Sequence, residues 1–210
     1  MEMFLTLLSG ICWCVVYEEC IRLALKDKTY AMPFWALALN ITWEGIYTYY
    51  DLRAGGGVQG IVNVLWFCLD VVILALYFKY GRKHHEADSD ALFYLWTILG
   101  IAAMFFVQLA YVKEFGLEGR LSAQYSAFAQ NLIMSIAFIH MLVKRGNTNG
   151  QSVLLAVAKW IGTLAPTITM GIMSTNYVVL ACGLLCTVYD LIYIALLYRA
   201  KKSEKLEKVQ

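Results

Sequence analysis

The chain has 210 residues, 60% of them apolar and 15% charged, with a formal net charge of +2. An ordinary soluble domain is about 45–50% apolar and about 25% charged. This composition excludes a water-soluble globule, a disordered or collagen-like chain, and a nucleic-acid binder, which needs a strongly basic stripe.

A helix rises about 1.5 Å per residue and the hydrocarbon core of a bilayer is about 30 Å thick, so one span needs roughly 20 mainly apolar residues. Seven segments meet that need: residues 3–25, 31–50, 58–79, 91–112, 121–143, 152–173 and 177–198. The expected fold is all-α, a seven-transmembrane-helix bundle forming a single domain over residues 1–198, followed by a basic cytoplasmic tail over 199–210. The first segment has no positively charged leader and no small-residue cleavage pattern, so it reads as a retained helix and not a signal peptide.

Thirteen Lys and Arg residues fall on one side of this arrangement, among them Arg22, Lys26, Arg82, Lys83, Lys144, Arg145 and five in the tail, while the other side holds only Arg53, Lys113 and Arg120. The positive-inside rule then predicts the N-terminus outside and the C-terminus inside. Asp70-Val-Val-Ile-Leu-Ala-Leu-Tyr77 in the third segment resembles Asp190-Leu-Ile-Tyr-Ile-Ala-Leu-Leu-Tyr198 in the seventh. Segments one to three and five to seven therefore read as a 3+1+3 pseudo-repeat around a fourth linking helix, an arrangement that transporters use. The six cysteines lie in apolar stretches without CxxC spacing, and are expected to act as small packing residues.

Ionisable residues inside a span are costly and mark functional sites by default. Five carboxyl groups qualify. Glu18 and Glu19 are followed by Arg22 at helix-surface spacing and read as a structural ion pair. Glu44 lies deep in the second segment with no basic residue nearby in sequence, and Asn40, Glu44 and Tyr47 share one helical face, flanked by Trp43. Asp190 lies in the body of the seventh segment, on a face with Cys182, Cys186 and Tyr193, and has no cation within one helical turn. Asp70 sits at similar depth in the third, on a face with Asn63, Trp66 and Phe67, from which it could approach Asp190. A carboxyl buried away from cations favours its neutral form and can then donate a proton. Two carboxyls in unlike surroundings can divide acid and base roles. Trp43, Tyr47, Trp66, Phe67, Tyr189 and Tyr193 lie within four residues of Glu44, Asp70 or Asp190, and their ring faces could stabilise a carbocation.

Other clusters carry less. His84, His85, Glu86, Asp88 and Asp90 occupy a short charged connection and read as a solvated loop with acids near a helix N-terminus, not as a metal site. Lys159 is expected to snorkel to the inner boundary, and the seventh segment offers no Schiff-base lysine for a pigment. His140 reads as an interfacial hydrogen-bond donor.

At Asn40-Ile-Thr-Trp-Glu44-Gly-Ile-Tyr47 and Cys186-Thr-Val-Tyr-Asp190-Leu-Ile-Tyr193, the chain resembles the small seven-helix integral-membrane terpene cyclases of fungal meroterpenoid and indole-diterpene biosynthesis, which also have bacterial relatives. The resemblance covers nearly the whole length, although many fungal members are longer at the N-terminus. It implies cyclisation of a linear prenylated substrate, often one bearing a terminal epoxide, by protonation and a cascade of alkene additions ended by proton loss. Glu44 and Asp190 match the acids assigned to catalysis in that family. Soluble cyclases carry DDxxD or DxDD motifs, whereas this chain has only Asp88-Ser-Asp90-Ala in a loop, so neither a metal nor another cofactor nor loss of diphosphate is expected.

The leading expectation is a membrane-bound terpene cyclase with catalytic Glu44, Asp190 and Asp70. Asn40, Trp43, Tyr47, Asn63, Trp66, Phe67, Tyr189 and Tyr193 would line the substrate site, with the acid and base roles unassigned. Its partners would be a hydrophobic prenylated small molecule and the lipid bilayer, with no nucleic acid. It would reside in the endoplasmic reticulum of a eukaryote or the plasma membrane of a bacterium. A proton-coupled small-molecule transporter built on the 3+1+3 repeat is the main alternative, and a heptahelical receptor is weaker because the inner loops are short.

Overall fold

A computed structural model describes residues 1–85 and 89–207. Over these the chain is helical, with no strand: α1 (Glu2–Asp27), α2 (Phe34–Arg53), α3 (Gly57–Tyr80), α4 (Asp90–Phe115), α5 (Leu121–Arg145), α6 (Val153–Pro166) and α7 (Tyr177–Glu207). A π-helical stretch, Thr167–Met173, continues α6 past Pro166. Six of the helical segments are long and apolar enough to cross a membrane; α2 is not among them. It is the helix whose polar residues are turned inward, with Asn40, Thr42, Glu44 and Thr48 all buried.

The helix ends follow from local chemistry. The side chains of Ser89 and Ser152 cap α4 and α6, accepting from Leu92 N at 3.2 Å and Leu155 N at 3.0 Å, contacts worth about 1 kcal/mol each. Between α2 and α3 the chain reverses through Gly55, Gly56 and Gly57, all with positive φ, from +62° to +103°, a run that residues with a Cβ would resist. At the other terminus α7 runs on to Glu207, beyond the expected end at residue 198. The Glu204 carboxylate there accepts from Thr148 N at 2.7 Å and Thr148 Oγ1 at 2.6 Å, which ties this extension to the α5–α6 turn.

Neighbour relations follow the expected repeat. Helix α3 packs on both α1 and α2, and α7 packs on both α5 and α6; α1 meets α6 as α5 meets α2; α4 rests on α2 and α5. Large apolar side chains such as Ile11, Ile61, Ile98, Phe106 and Val143 remain exposed. Lipid solvates these, so the helices are held by close packing and interhelical hydrogen bonds. Small residues bring the backbones together: Ser9 Oγ donates to Gly162 O at 2.7 Å, where α1 crosses α6. On α7, buried Gly183 lies so close to Thr167 that a Cβ would fall on the threonine side chain. Overpacking of this kind costs about 1–3 kcal/mol. Gly183→Val is therefore expected to lower Tm by about 2–10 °C, measured by thermal unfolding of the detergent-solubilised chain; an unchanged Tm would show that α7 can step away from Thr167.

Candidate active site

Lipid supplies no hydrogen bonds, so a polar group inside the bundle must find its partners on other helices. Helix α2 packs against α3, α4 and α5, and side chains from α1, α3 and α5 meet its Asn40–Glu44 face. Tyr17 on α1 donates through Oη to Glu44 Oε1 at 3.1 Å. The Asn40 amide nitrogen donates to Tyr17 Oη at 2.6 Å and to Asp70 Oδ2 on α3 at 2.9 Å. Gln130 on α5 donates to Asn40 Oδ1 at 3.2 Å, and Gln108 on α4 donates to Gln130 Oε1 at 3.0 Å. Five helices thus meet in one chain of side-chain hydrogen bonds.

The direction of that chain is fixed by proton count. Asn40 has two N–H groups, and one of them points at Tyr17 Oη, so the single phenolic proton of Tyr17 is left for Glu44. Glu44 Oε1 is therefore an acceptor, while its Oε2 is buried and has no partner among the described residues. Glu44 is 2% exposed and Asp70 fully buried.

Glu44 also borders a cavity of about 560 Å³, within the usual range for small-molecule sites. Its walls come from α1, α2, α3, α5 and the π-helical stretch. Asn40, Trp43 and Trp66, three of the candidate substrate-site residues, lie on its wall, together with Trp13, Tyr17, Phe128, Gln130 and Asn131. The indole nitrogens are engaged away from one another, Trp43 Nε1 on Ala123 O at 3.1 Å and Trp66 Nε1 on Cys14 Sγ at 3.4 Å. Tyr17 sits between Trp13 and Trp66, at ring separations of 6.2 and 6.3 Å.

The remaining expected residues lie elsewhere. Tyr47 stands behind Trp43, ring to ring at 4.8 Å, with its hydroxyl 3.4 Å from Ser126 Oγ. Asn63 donates to Asp51 Oδ2 at 2.7 Å, and Arg120 grips the same carboxylate at 2.8 and 3.2 Å. Phe67 fills the seam beside Gly45 on α2. Tyr193 packs against Phe138 and donates to Gln151 Oε1 at 3.0 Å. Half-buried Tyr189, like the rest of α7, contributes nothing to the cavity wall.

Asp190 differs most from its sequence neighbourhood. Lys159 on α6 donates to its Oδ1 at 2.8 Å and Oδ2 at 2.9 Å, and to Ser135 Oγ on α5 at 2.7 Å. Lys159 is 0% exposed and Asp190 1%. The expectation that Lys159 snorkels is therefore wrong: its ammonium is turned into the bundle, where a carboxylate and a hydroxyl replace the water it gives up. Asp70 and Asp190, expected to approach each other, each take a different partner.

Of the two acids expected to pair with Arg22, Glu19 does so, while Glu18 lies on the cavity wall. Glu19 receives Arg22 at 2.7 and 2.8 Å and Ser152 at 2.9 Å, which fastens α1 to the start of α6. His84 contacts Thr29 Oγ1 at 2.8 Å; burial, with Arg145 and Lys83 nearby, lowers its imidazole to about pKa 4. Arg82 pairs with Asp90 at 2.6 Å. Glu86 and Asp88 lie outside the described residues, and no metal-holding group of three or more His, Cys, Asp or Glu occurs among those described.

Sequence reasoning missed Tyr17, Gln108, Gln130, Asn131 and the partner role of Lys159. It began from the carboxyl groups and drew their polar neighbours from the same helix face. Amides at mid-span, such as Gln108 and the Gln130-Asn131 pair, were the available signal, because lipid-facing amides are costly for the same reason as charges.

Residues 1–203 match the family of Pyr4-like transmembrane terpene cyclases. The chain is 32% identical over 165 residues to the Pyr4-family terpene cyclase mfmH of Annulohypoxylon moriforme, covering 76% of this chain and 66% of that one. It is 30% identical over 172 residues to the terpene cyclase macJ of Penicillium terrestre, covering 76% and 62%. With the terpene cyclase pyr4 of Aspergillus fumigatus it is 22% identical over 211 residues, covering 94% and 86%. The chain thus spans slightly less than two thirds of the length of the first two relatives. No solved structure matches it, and these relatives give the transporter alternative no support. With a match over 203 of its residues and six helical segments able to cross a membrane, the chain belongs to the Pyr4-like transmembrane terpene cyclase family.

Proposed function

We propose that this chain cyclises a linear prenylated substrate by proton transfer inside the membrane, with Glu44 as the acid. The observation that carries this reading is the placement of Glu44: a buried carboxyl on the wall of an aromatic cavity, with one oxygen engaged by Tyr17 and the other without a partner among the described residues. Family membership supports the same reaction class, as each of the relatives named above is a terpene cyclase.

In the proposed sequence the O–H bond at Glu44 Oε2 breaks as its proton passes to a terminal epoxide oxygen or alkene carbon of the substrate. Electron pairs of successive alkenes then form the ring C–C bonds. Trp13, Trp43 and Trp66, whose rings border the space, stabilise the migrating positive charge through their negative faces. Loss of a C–H proton to a carboxylate or to water restores an alkene, so the product is an isomer of the substrate. Tyr17, by donating to Oε1, favours placement of the reacting proton on Oε2. Asp70 stands three hydrogen bonds behind Glu44, through Tyr17 and Asn40, and in this reading it orients Asn40. Water admitted to the cavity would intercept the cation, so the apolar walls act as exclusion as well as binding surface.

In this reading the basic ends of the helices face the cytoplasm, as the positive-inside rule supports. A eukaryotic chain of this kind belongs in the endoplasmic reticulum and a bacterial one in the plasma membrane.

Membranes containing the chain are expected to convert one or more prenylated substrates, from a panel of epoxidised and plain farnesyl and geranylgeranyl conjugates, into isomers of unchanged mass, read by liquid chromatography and mass spectrometry. Glu44→Gln should reduce conversion by about 10²-fold or more, the usual share of a general acid, with the folded yield preserved. Full turnover by Glu44→Gln would remove the proposal. Tyr17→Phe keeps the ring but removes the hydroxyl that donates to Glu44 Oε1 and accepts from Asn40, so kcat should fall by about tenfold or more with little change in KM. EDTA should leave conversion unchanged; loss of product that added magnesium restores would point to a metal-assisted reaction.

A further inference from the structure

The two halves of the bundle carry the same three-helix knot. In the first, a donor on the middle helix, Asn40, bridges a hydroxyl on the first helix, Tyr17, and a carboxyl on the third, Asp70. In the second, Lys159 on α6 bridges the Ser135 hydroxyl on α5 and the Asp190 carboxyl on α7. The sequence separations agree almost residue for residue, 23 and 30 in the first half against 24 and 31 in the second. The chemical difference lies in the bridging donor. Asn40 brings a neutral amide that leaves Asp70 Oδ1 without a partner among the described residues, whereas Lys159 brings an ammonium that occupies both oxygens of Asp190.

Two further observations separate the halves. Asp190 does not border the cavity, and neither does any other residue of α7, whereas Glu44 and Asn40 do. The helices that the Lys159 ammonium joins to Asp190 are those that build the opposite wall. Ser135 lies on the helix that presents Phe128, Gln130 and Asn131, and Lys159 lies on the helix that continues into Pro166, Thr169 and Met170. Gln130 in turn holds Asn40.

Resting on the cyclase reading, we infer that Asp190 is a positioning residue and gives up no proton: Asp190, Lys159 and Ser135 form a charge-neutral clamp that sets α5 and α6 against the substrate, and proton transfer belongs to the first half alone. With both oxygens accepting from one ammonium, Asp190 has no O–H directed at a substrate. Removing either partner leaves the other buried and uncompensated, so single substitutions are damaging for a reason unrelated to proton transfer.

The discriminating experiment compares Asp190→Asn, Lys159→Met and the double variant Lys159→Met/Asp190→Leu, purified as full chains in lipid nanodiscs, with the wild type assayed alongside. Each single variant should lose folded yield and product. The double variant should recover a monodisperse folded species with kcat within about tenfold of wild type, an unchanged KM and an unshifted pH profile of kcat. A double variant that folds but makes no product, or whose pH profile loses a limb present in the wild type, overturns the inference. Should the apolar pair not fold, the exchanged pair Lys159→Asp/Asp190→Lys answers the same question. Turnover without a carboxyl at position 190 supports the clamp, and a folded, inactive chain overturns it. Absence of product from the wild type would sink the cyclase reading instead, which keeps the two failures apart.

Discussion

An acid inside a helix bundle must draw every hydrogen-bond partner from protein, because lipid offers none. The bond from Asn40 to Tyr17 is the contact on which the first half depends. It uses one N–H of the amide, forces the phenolic proton toward Glu44, and so distinguishes the two oxygens of that carboxyl. The other N–H holds Asp70, and the amide oxygen receives Gln130, so one side chain on α2 ties down α1, α3 and α5. A fully connected polar network of this kind specifies one arrangement of helices that apolar contacts alone would leave loosely defined.

The second half uses the same geometry with a different charge. An ammonium between Ser135 and Asp190 pairs with the carboxylate, and the buried site is neutral without a proton being held on an acid. Breaking such a pair is costly even where the intact pair contributes little net stability. A related use is visible toward the ends of the bundle, where Glu19 with Arg22 and Ser152, and Asp51 with Arg120 and Asn63, fasten helices together. Carboxyls are therefore used in two ways in this chain. Glu19, Asp51 and Asp190 are braces with a cation, while Glu44 and Asp70, inside the bundle, receive only neutral donors.

The cavity inherits its character from the helices that wall it. Three indoles and a phenol surround the carboxyl, and two of the indole N–H groups are already bonded to Ala123 O and Cys14 Sγ, so those rings meet an occupant without an unpaired donor. Such walls suit a greasy guest that becomes cationic in passing, because ring faces attract positive charge while offering no nucleophile as reactive as water.

What the sequence settled is what lipid imposes locally. Runs of about 20 apolar residues must be helices, since only a helix satisfies its own backbone over that length; hence the helices were legible nearly to their ends, and so was the kinship of the Asp70 and Asp190 segments. Glu44 with Asn40 and Trp43 was legible because all three stand on one face of one helix. Partners supplied by other helices were not. Asp190 and Glu44 look alike in sequence, each a carboxyl with no cation within a turn, yet one meets Lys159 from 31 residues away and the other meets Tyr17 from 27. Periodicity fixes which way a side chain points from its own helix, but only packing decides which neighbour stands opposite. That choice separates a paired carboxylate from a carboxyl free to hold a proton.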